Sequence, residues 1–284
     1  MEKVEGLTQK MLGSMVDQHN FAILKEELEQ EGNLREVTRL ASLGLPYAGA
    51  WLDAAPIASL GLYLQPSEFT MATKYRLGIP VYDRGGPCPA CHKQSDKLGD
   101  HSLCCGHQGE RISRHNRLRD TLHDIAASAA LGPLKESRFL LPGSDRRPAD
   151  VFLPSWAAGQ DAALDVTVVN PLQGALVAEA AVTPGHALTT RFNSKMAESS
   201  EDCHRQGISF SPIVVESLGG FHAVAVREVK KQASALARHT GEDEGGAVRQ
   251  CFTRLSLLLM KGNAAILSNR IPALPYMCLE EGEA

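Results

Sequence analysis

The sequence predicts a mixed α/β fold: a central sheet flanked by helices, with a helical N-terminal segment and a small Cys/His-rich knuckle at the entrance to the sheet. Three observations predict it. Short runs rich in Val, Leu and Ala at 149–153, 163–169 and 213–215 read as strands bounded by Pro, Gly and Asn. Longer stretches around them carry apolar residues at helical spacing. A Gly/Pro-rich break at 81–108 holds a cluster of Cys and His. The chain has 284 residues, 43% hydrophobic and 22% charged. This is an ordinary globular composition, long enough for about two domains. The sequence contains no apolar run of about 18 residues, so it offers no candidate transmembrane helix.

The elements follow in order. Residues 1–40 read as helix, with Met11, Met15, Phe21, Leu24 and Leu28 recurring between Glu and Lys. Gly44 and Pro46 interrupt it, and 48–64 is an apolar stretch. Ser67 reads as an N-cap, with Glu68 in the first turn of a helix reaching about Tyr75. Residues 1–80 show no catalytic constellation and read as a packing or dimerising segment. From about Ser113 a helix places Leu118, Leu122, Ile125 and Ala129 on one face, with Arg111, Arg114, Arg117 and Arg119 polar, until Gly132-Pro133 stops it. Strands are predicted at 138–141, at 149–153 ending at Pro154, and at 163–169 ending at Asn170-Pro171. A helix over 186–204 precedes the strand at 213–215, and helices at 223–238 and 248–261 flank an acidic Gly-rich turn. The chain thus divides into a helical linker segment at 1–80, a knuckle at 81–108, a core at 109–240, and a C-terminal helix with an acidic tail at 241–284.

The knuckle carries Cys88-x2-Cys91, nine further residues, His101, and then Cys104-Cys105. Two thiolates separated by two residues can hold one Zn²⁺, each at about 2.3 Å. His101 and one of the paired cysteines complete a tetrahedral set. Cys105 is the preferred fourth ligand, with Cys104 and His107 as competitors. Four protein ligands and no bound water make a structural rather than a catalytic site. The competing reading is a set of buried free thiols. Clustered cysteines without a visible secretory signal suit a reducing compartment, nuclear or cytoplasmic.

Three acids accompany the strands: Glu136 after the long helix, Asp150 at the start of one strand and Asp165 within the next. Asp165 is flanked by Leu164 and Val166, and a buried carboxylate is costly unless paired, hydrogen-bonded or metal-bound. Fourteen residues separate Asp150 from Asp165, a spacing that suits a hairpin bringing both to one sheet end. A divalent cation, Mg²⁺ or Mn²⁺, would relieve their repulsion and activate a water. Lys195 follows Leu188 by seven and Phe192 by three, on the apolar side of its helix, from where it could orient that water. The alternatives are a turn cap for Asp150, a structural ion pair for Asp165 and a snorkelling stem for Lys195. Arg114, His115 and Arg117 open the long helix beyond the knuckle and could contact phosphates, or simply form a solvated face.

The ordered set of Cys-Pro-x-Cys, His-x3-Cys, Arg114-His115-Asn116, Glu136 and Pro148-Ala149-Asp150-x14-Asp165 resembles the restriction-like endonuclease region that ends site-specific non-LTR retrotransposon polyproteins, within the PD-(D/E)XK class. The resemblance covers about residues 84–220. Residues 41–86 also look similar to the linker ahead of that endonuclease, and no Tyr-x-Asp-Asp polymerase signature occurs. The resemblance implies a restriction-endonuclease-like sheet and a DNA-cleaving activity. Asp150 and Asp165 would hold Mg²⁺ or Mn²⁺ with the Val166 carbonyl, Glu136 would assist, and Lys195 would position hydroxide. Arg114 and His115 would hold the backbone. DNA is the implied partner, with RNA second, and the oligomeric state is open. Two departures stand out: Ala149 separates Pro148 from Asp150, and Thr167 occupies the position where the class places lysine, which in some branches migrates to a neighbouring helix. A catalytically inactive nucleic-acid-binding remnant is the rival reading, and a zinc-stabilised protein-interaction module the third.

Charge bears on these rivals. The net charge is −4, which argues against a uniformly basic nucleic-acid coat. Residues 84–147 nevertheless hold 11 Lys/Arg against 7 Asp/Glu, between an acidic N-terminal segment and the C-terminal Glu280, Glu281 and Glu283. A locally basic middle permits phosphate contact.

Overall fold

A computed structural model describes residues 8–272, apart from 58–60, 108, 139, 145 and 158. The acidic tail predicted at the C-terminus lies outside the described residues. The predicted N-terminal helix is two helices, α1 (Gln9–Gln30) and α2 (Leu34–Leu43). Gly32 takes a left-handed φ of 68° between them, and the Asn33 side chain caps α2 by accepting from the Glu36 amide. No residue of α1 is buried, whereas Val37, Leu40 and Ala41 of α2 are. After a 3-10 turn (Ala50–Asp53), α3 (Pro66–Leu77) starts at Pro66 rather than after Ser67. Its N-cap is Gln65, whose amide donates to the Glu68 carboxylate, and Pro66 loses nothing at a first position where the N–H has no partner.

The knuckle contributes the short strands β1 (Gly86–Pro87) and β2 (Gln94–Ser95) and the helix α4 (Asp100–Cys104). The long helix α5 (Glu110–Ser128) follows. It buries Leu118, Leu122 and Ile125 as predicted, but it also buries Arg114. Arg114 lies one turn before Leu118, on the same face, so its assignment to the polar face is corrected. The helix ends before Gly132-Pro133, where Ala130 turns left-handed at φ 58°.

The main sheet has four strands in the order β3 (Leu134–Lys135), β4 (Val151–Ala157), β5 (Gln160–Val169) and β6 (Ser209–Glu216). The first three pair antiparallel, and β5 pairs parallel with β6. The parallel step needs a crossover, supplied by α6 (Val177–Val182) and α7 (His186–Arg205). Two strand expectations are corrected. The described residues of 138–141 lie in no strand; Leu134 and Lys135 pair with Phe152 and Val151 instead. β4 runs through Pro154 rather than stopping there, because the register shifts between Leu153 and Ala157. Proline lacks the N–H that a regular ladder needs and is tolerated at such a bulge.

The sheet is covered on both faces. Val151, Leu153, Leu164, Val166, Ile213 and Val215 pack into a core with α5, α8 (Ala223–Thr240) and α9 (Glu244–Ser268). Phe152, Ala163, Phe210 and Cys203 form a second core beneath α7. Trp51, Leu64 and Ala72 from the N-terminal segment join the first core beside Phe252 and Leu255 of α9, so residues on both sides of positions 80 and 240 share one interior. Among the described residues, no helix is long and apolar enough to cross a membrane.

α5 and α9 approach closely at Gly262, where an added Cβ would lie 2.6 Å from Cγ of Arg114. Gly262→Ala is therefore expected to cost about 1–3 kcal/mol through overpacking, read as a lowered urea midpoint with unchanged slope. An unchanged midpoint would show that the two helices can separate freely.

Candidate functional site

Two clusters of chemistry-bearing side chains lie at the α5 end of the sheet. The first is the knuckle. The Cys88 amide donates to the Lys93 carbonyl at 2.9 Å and the His92 amide to the Cys88 carbonyl at 2.8 Å, with His92 left-handed at φ 60°. Asp96 caps the following turn, accepting from the amides of Leu98, Asp100 and His101, and so sets the first turn of α4 that carries His101. One ligand atom each from Cys88, Cys91, His101 and Cys105 lies within 4.8 Å of the others. A tetrahedral zinc site holds such atoms roughly 3.5–3.8 Å apart, so the four could close on a metal ion such as zinc.

Local electrostatics separates the competing cysteines. Burial pushes the Cys88 thiol up, but hydrogen bonds from the Ala90 and Cys91 amides and from the Cys91 and Cys105 side chains together hold it below its ordinary value. Burial, opposed by Asp96 and reinforced by Arg270 and Lys93, lowers His101 and favours the neutral imidazole that binds metal. Cys104 points elsewhere: its sulfur accepts from Asn170 Nδ2 at 3.3 Å, and burial pushes its thiol up to about 11. The structure therefore groups Cys105, not Cys104 or His107, with the other three. Arg270, fully buried, donates to the carbonyls of Cys105 and His107 and to the Glu110 carboxylate at 2.9 Å. It thereby staples the knuckle to the first turn of α5.

The second cluster gathers around the acids. Val151 faces Leu164 across the β4–β5 hairpin; continuing that register by one residue sets Asp150 opposite Asp165. Asp150 Oδ2 accepts from the Val166 amide at 2.6 Å, and Oδ1 lies 3.1 Å from His115 Nε2. Lys195 Nζ lies 3.0 Å from Asp165 Oδ2 as an ion pair, and among the described residues this buried oxygen has no other polar partner. Burial, reinforced by the Asp150 charge and opposed by Lys195, pushes the Asp165 carboxyl up to about 6. The hydrogen bond to Asp150 raises His115 despite its burial, and Asp165 adds to the shift.

Asp150, Asp165, Lys195 and His115 thus meet. Other residues expected in the site do not. The Glu136 carboxylate is half-exposed and paired with Arg119 and Arg147. Its left-handed φ of 45° turns the side chain aside, although its amide donates to the Asp150 carbonyl at 3.0 Å. Arg114 is 3% exposed and donates to Asn263 at 2.7 Å, with burial lowering it to about 10. It forms the floor of a cleft rather than a surface contact. Arg117 lies exposed on α5. Among the described residues, only the Cys/His cluster gathers three or more metal-ligating side chains so closely; the acid pair supplies two carboxylates.

The cleft, about 320 Å³, opens between the knuckle and the end of β5 and is lined by Gly106, Arg111, Ile112, Arg114, His115, Thr167 and Val168. The sequence reading missed Arg191 of α7, whose Nε donates to Thr167 Oγ1 at 3.2 Å. A signal existed, since Arg191 precedes Lys195 by four and shares its helix face. No protein-family model matches the chain, and no curated protein matches it either.

Two outcomes follow. Zinc by atomic absorption is expected near one equivalent per chain and near zero in the Cys88→Ser, Cys91→Ser double variant; under half an equivalent in the unmutated protein refutes the metal site. Because the folded-state pKa of Asp165 is raised, its ionisation opposes folding once pH climbs through about 6, and the penalty vanishes below the unfolded value. Asp165→Asn is accordingly expected to stabilise the protein by on the order of 2 kcal/mol at pH 8, without added divalent ions, and hardly at all near pH 4. A loss of stability at pH 8 would instead mark the Asp165–Lys195 contact as a net structural ion pair.

Proposed function

We propose that this chain is a metal-dependent DNA endonuclease of the restriction-like PD-(D/E)XK class, derived from or part of a retroelement, and that it hydrolyses phosphodiester bonds. The observation that carries the reading is the meeting of Asp150 and Asp165 across the hairpin with Lys195 Nζ 3.0 Å from Asp165. Mg²⁺ or Mn²⁺ fits this donor set: two carboxylates suffice for such an ion alongside waters and phosphate, and among the described residues the buried Asp165 Oδ2 has no polar partner besides Lys195. When bound, the ion supplies a Lewis acid and a water of lowered pKa.

The remaining roles belong to the chain. Asp150 is held in place on one side by the Val166 amide and on the other by His115, so little reorganisation is needed when a cation arrives. Lys195 presents a positive charge from α7, where the attacking water and the phosphate oxygens need it, and so fills the role that Thr167 cannot. His115, at the cleft wall, faces the nucleic-acid backbone, and Arg117 offers a phosphate contact from the exposed side of α5. The knuckle holds the start of α5, and with it His115, against the sheet end.

One observation favours the rival, a nucleic-acid-binding protein that does not cut. Glu136 is taken up by Arg119 and Arg147, which leaves the site without a third acid. Nicking of supercoiled plasmid in Mg²⁺ or Mn²⁺ separates the two readings. Asp150→Ala, Asp165→Ala and Lys195→Ala are each expected to slow nicking by about 100-fold or more, the size of effect seen when a group stabilising developing charge is removed. Equal rates for all four proteins end the endonuclease reading, and retained DNA binding without cleavage establishes the rival.

A further inference from the structure

α7 runs against the face of β5 that carries Ala163, Asp165 and Thr167. Four helix residues advance about 6.0 Å and two strand residues about 6.6 Å, so one row of α7 stays in step with alternate positions of β5. Lys195 meets Asp165 and, one turn earlier, Arg191 meets Thr167. The Arg191 guanidinium is anchored to the sheet through Nε, which donates to Thr167 Oγ1, and to its own helix through Nη1. Nη1 is 3.5 Å from Ser194 Oγ and 3.8 Å from Glu198 Oε1, and Nη2 makes no polar contact among the described residues. The side chain is 38% exposed.

The anchor stands at the cleft. Thr167 is part of its lining, with Arg111, Arg114 and His115, and no carboxylate joins them. Among the described residues, Arg114 at the floor has no acid partner, and its buried Nε has no hydrogen-bond partner. A desolvated guanidinium beneath the cleft and a second one bonded to its Thr167 wall, with Nη2 unengaged among the described residues, leave donors available to an anion beside Glu198. A planar fork fixed at Nε is pre-organised for two parallel hydrogen bonds to one anion.

We propose that Arg191, anchored by Thr167, is a phosphate-contact residue: its terminal nitrogens hold the oxygens of a nucleic-acid phosphodiester flanking the one placed over Asp150 and Asp165. The proposal rests on the nuclease reading for the position of the substrate, but the contact itself is a binding property. The position Thr167 occupies in place of a lysine would thus serve to aim an arginine from the facing helix.

The test is binding of a fluorescent 30-base-pair duplex by the full chain, without added divalent ion so that no cleavage runs, over about 50–200 mM salt. Arg191→Gln is expected to weaken binding about tenfold and to reduce the slope of log K against log salt by about 1. Arg191→Lys should restore the slope but only part of the affinity, since the fork is gone. Thr167→Val should lower affinity and keep the slope. Unfolding midpoints of all three are expected to match the unmutated protein, which a merely structural role for Arg191 would not allow. An Arg191→Gln protein with unchanged affinity and slope overturns the proposal, as does an unmutated chain that does not bind. Binding that depends on Arg191 in a chain that never nicks plasmid sustains the contact while the nuclease reading fails; nicking that proceeds with an unchanged salt slope in Arg191→Gln does the reverse.

Discussion

A carboxylate held inside a strand is the constraint from which the rest of this structure follows. Asp165 sits in β5, between the hairpin partner β4 and the parallel neighbour β6, with hydrophobic residues on both sides of it in sequence. Its ionised form is disfavoured by burial and by the opposing Asp150, and among the described residues one of its oxygens has no polar partner besides Lys195. A protein selected only for stability would replace such a group by an apolar one of similar size. Here α7 instead delivers a lysine to it, α5 delivers a histidine to its neighbour, and the strand supplies an amide to fix Asp150. Three elements therefore converge on one pair of facing carboxylates.

The knuckle and the acid cluster are mechanically linked. Arg270 joins the Cys105 and His107 carbonyls to Glu110 at the start of α5. Asn170, just past β5, donates to the Cys104 sulfur and accepts from Tyr75 and Ser217. Asn263 passes the network from Arg114 to the Ser217 carbonyl. These buried polar groups connect the knuckle, the N-terminal half of α5 and the end of the sheet. A metal that orders the knuckle thereby bears on where His115 stands relative to Asp150.

Local patterns were legible in proportion to how local their causes are. The strand run at 163–169, the apolar stripe of Leu118, Leu122 and Ile125, and the Cys-x2-Cys turn all appear where the local pattern places them, because that pattern follows directly from backbone geometry. The hairpin pairing of Asp150 with Asp165 was also readable, because a short connection leaves few registers. Boundaries moved where a single residue competes with the pattern: Pro154 was absorbed by a bulge, Gly32 and Asn33 split the first helix, and 134–135 rather than 138–141 found a partner strand.

By itself the sequence determined which residue types could hold metal, their order, the faces of the strands and the amphipathic helices, because these depend on near neighbours along the chain. Tertiary structure upheld the preference for Cys105 by turning Cys104 to Asn170, and it alone decided that Arg114 lies under the cleft, that Glu136 is captured by two arginines, and that Arg191 reaches Thr167. Each of those outcomes depends on the distance between elements far apart in sequence. That distance is set by how the helices pack across the sheet, which no short stretch of chain encodes.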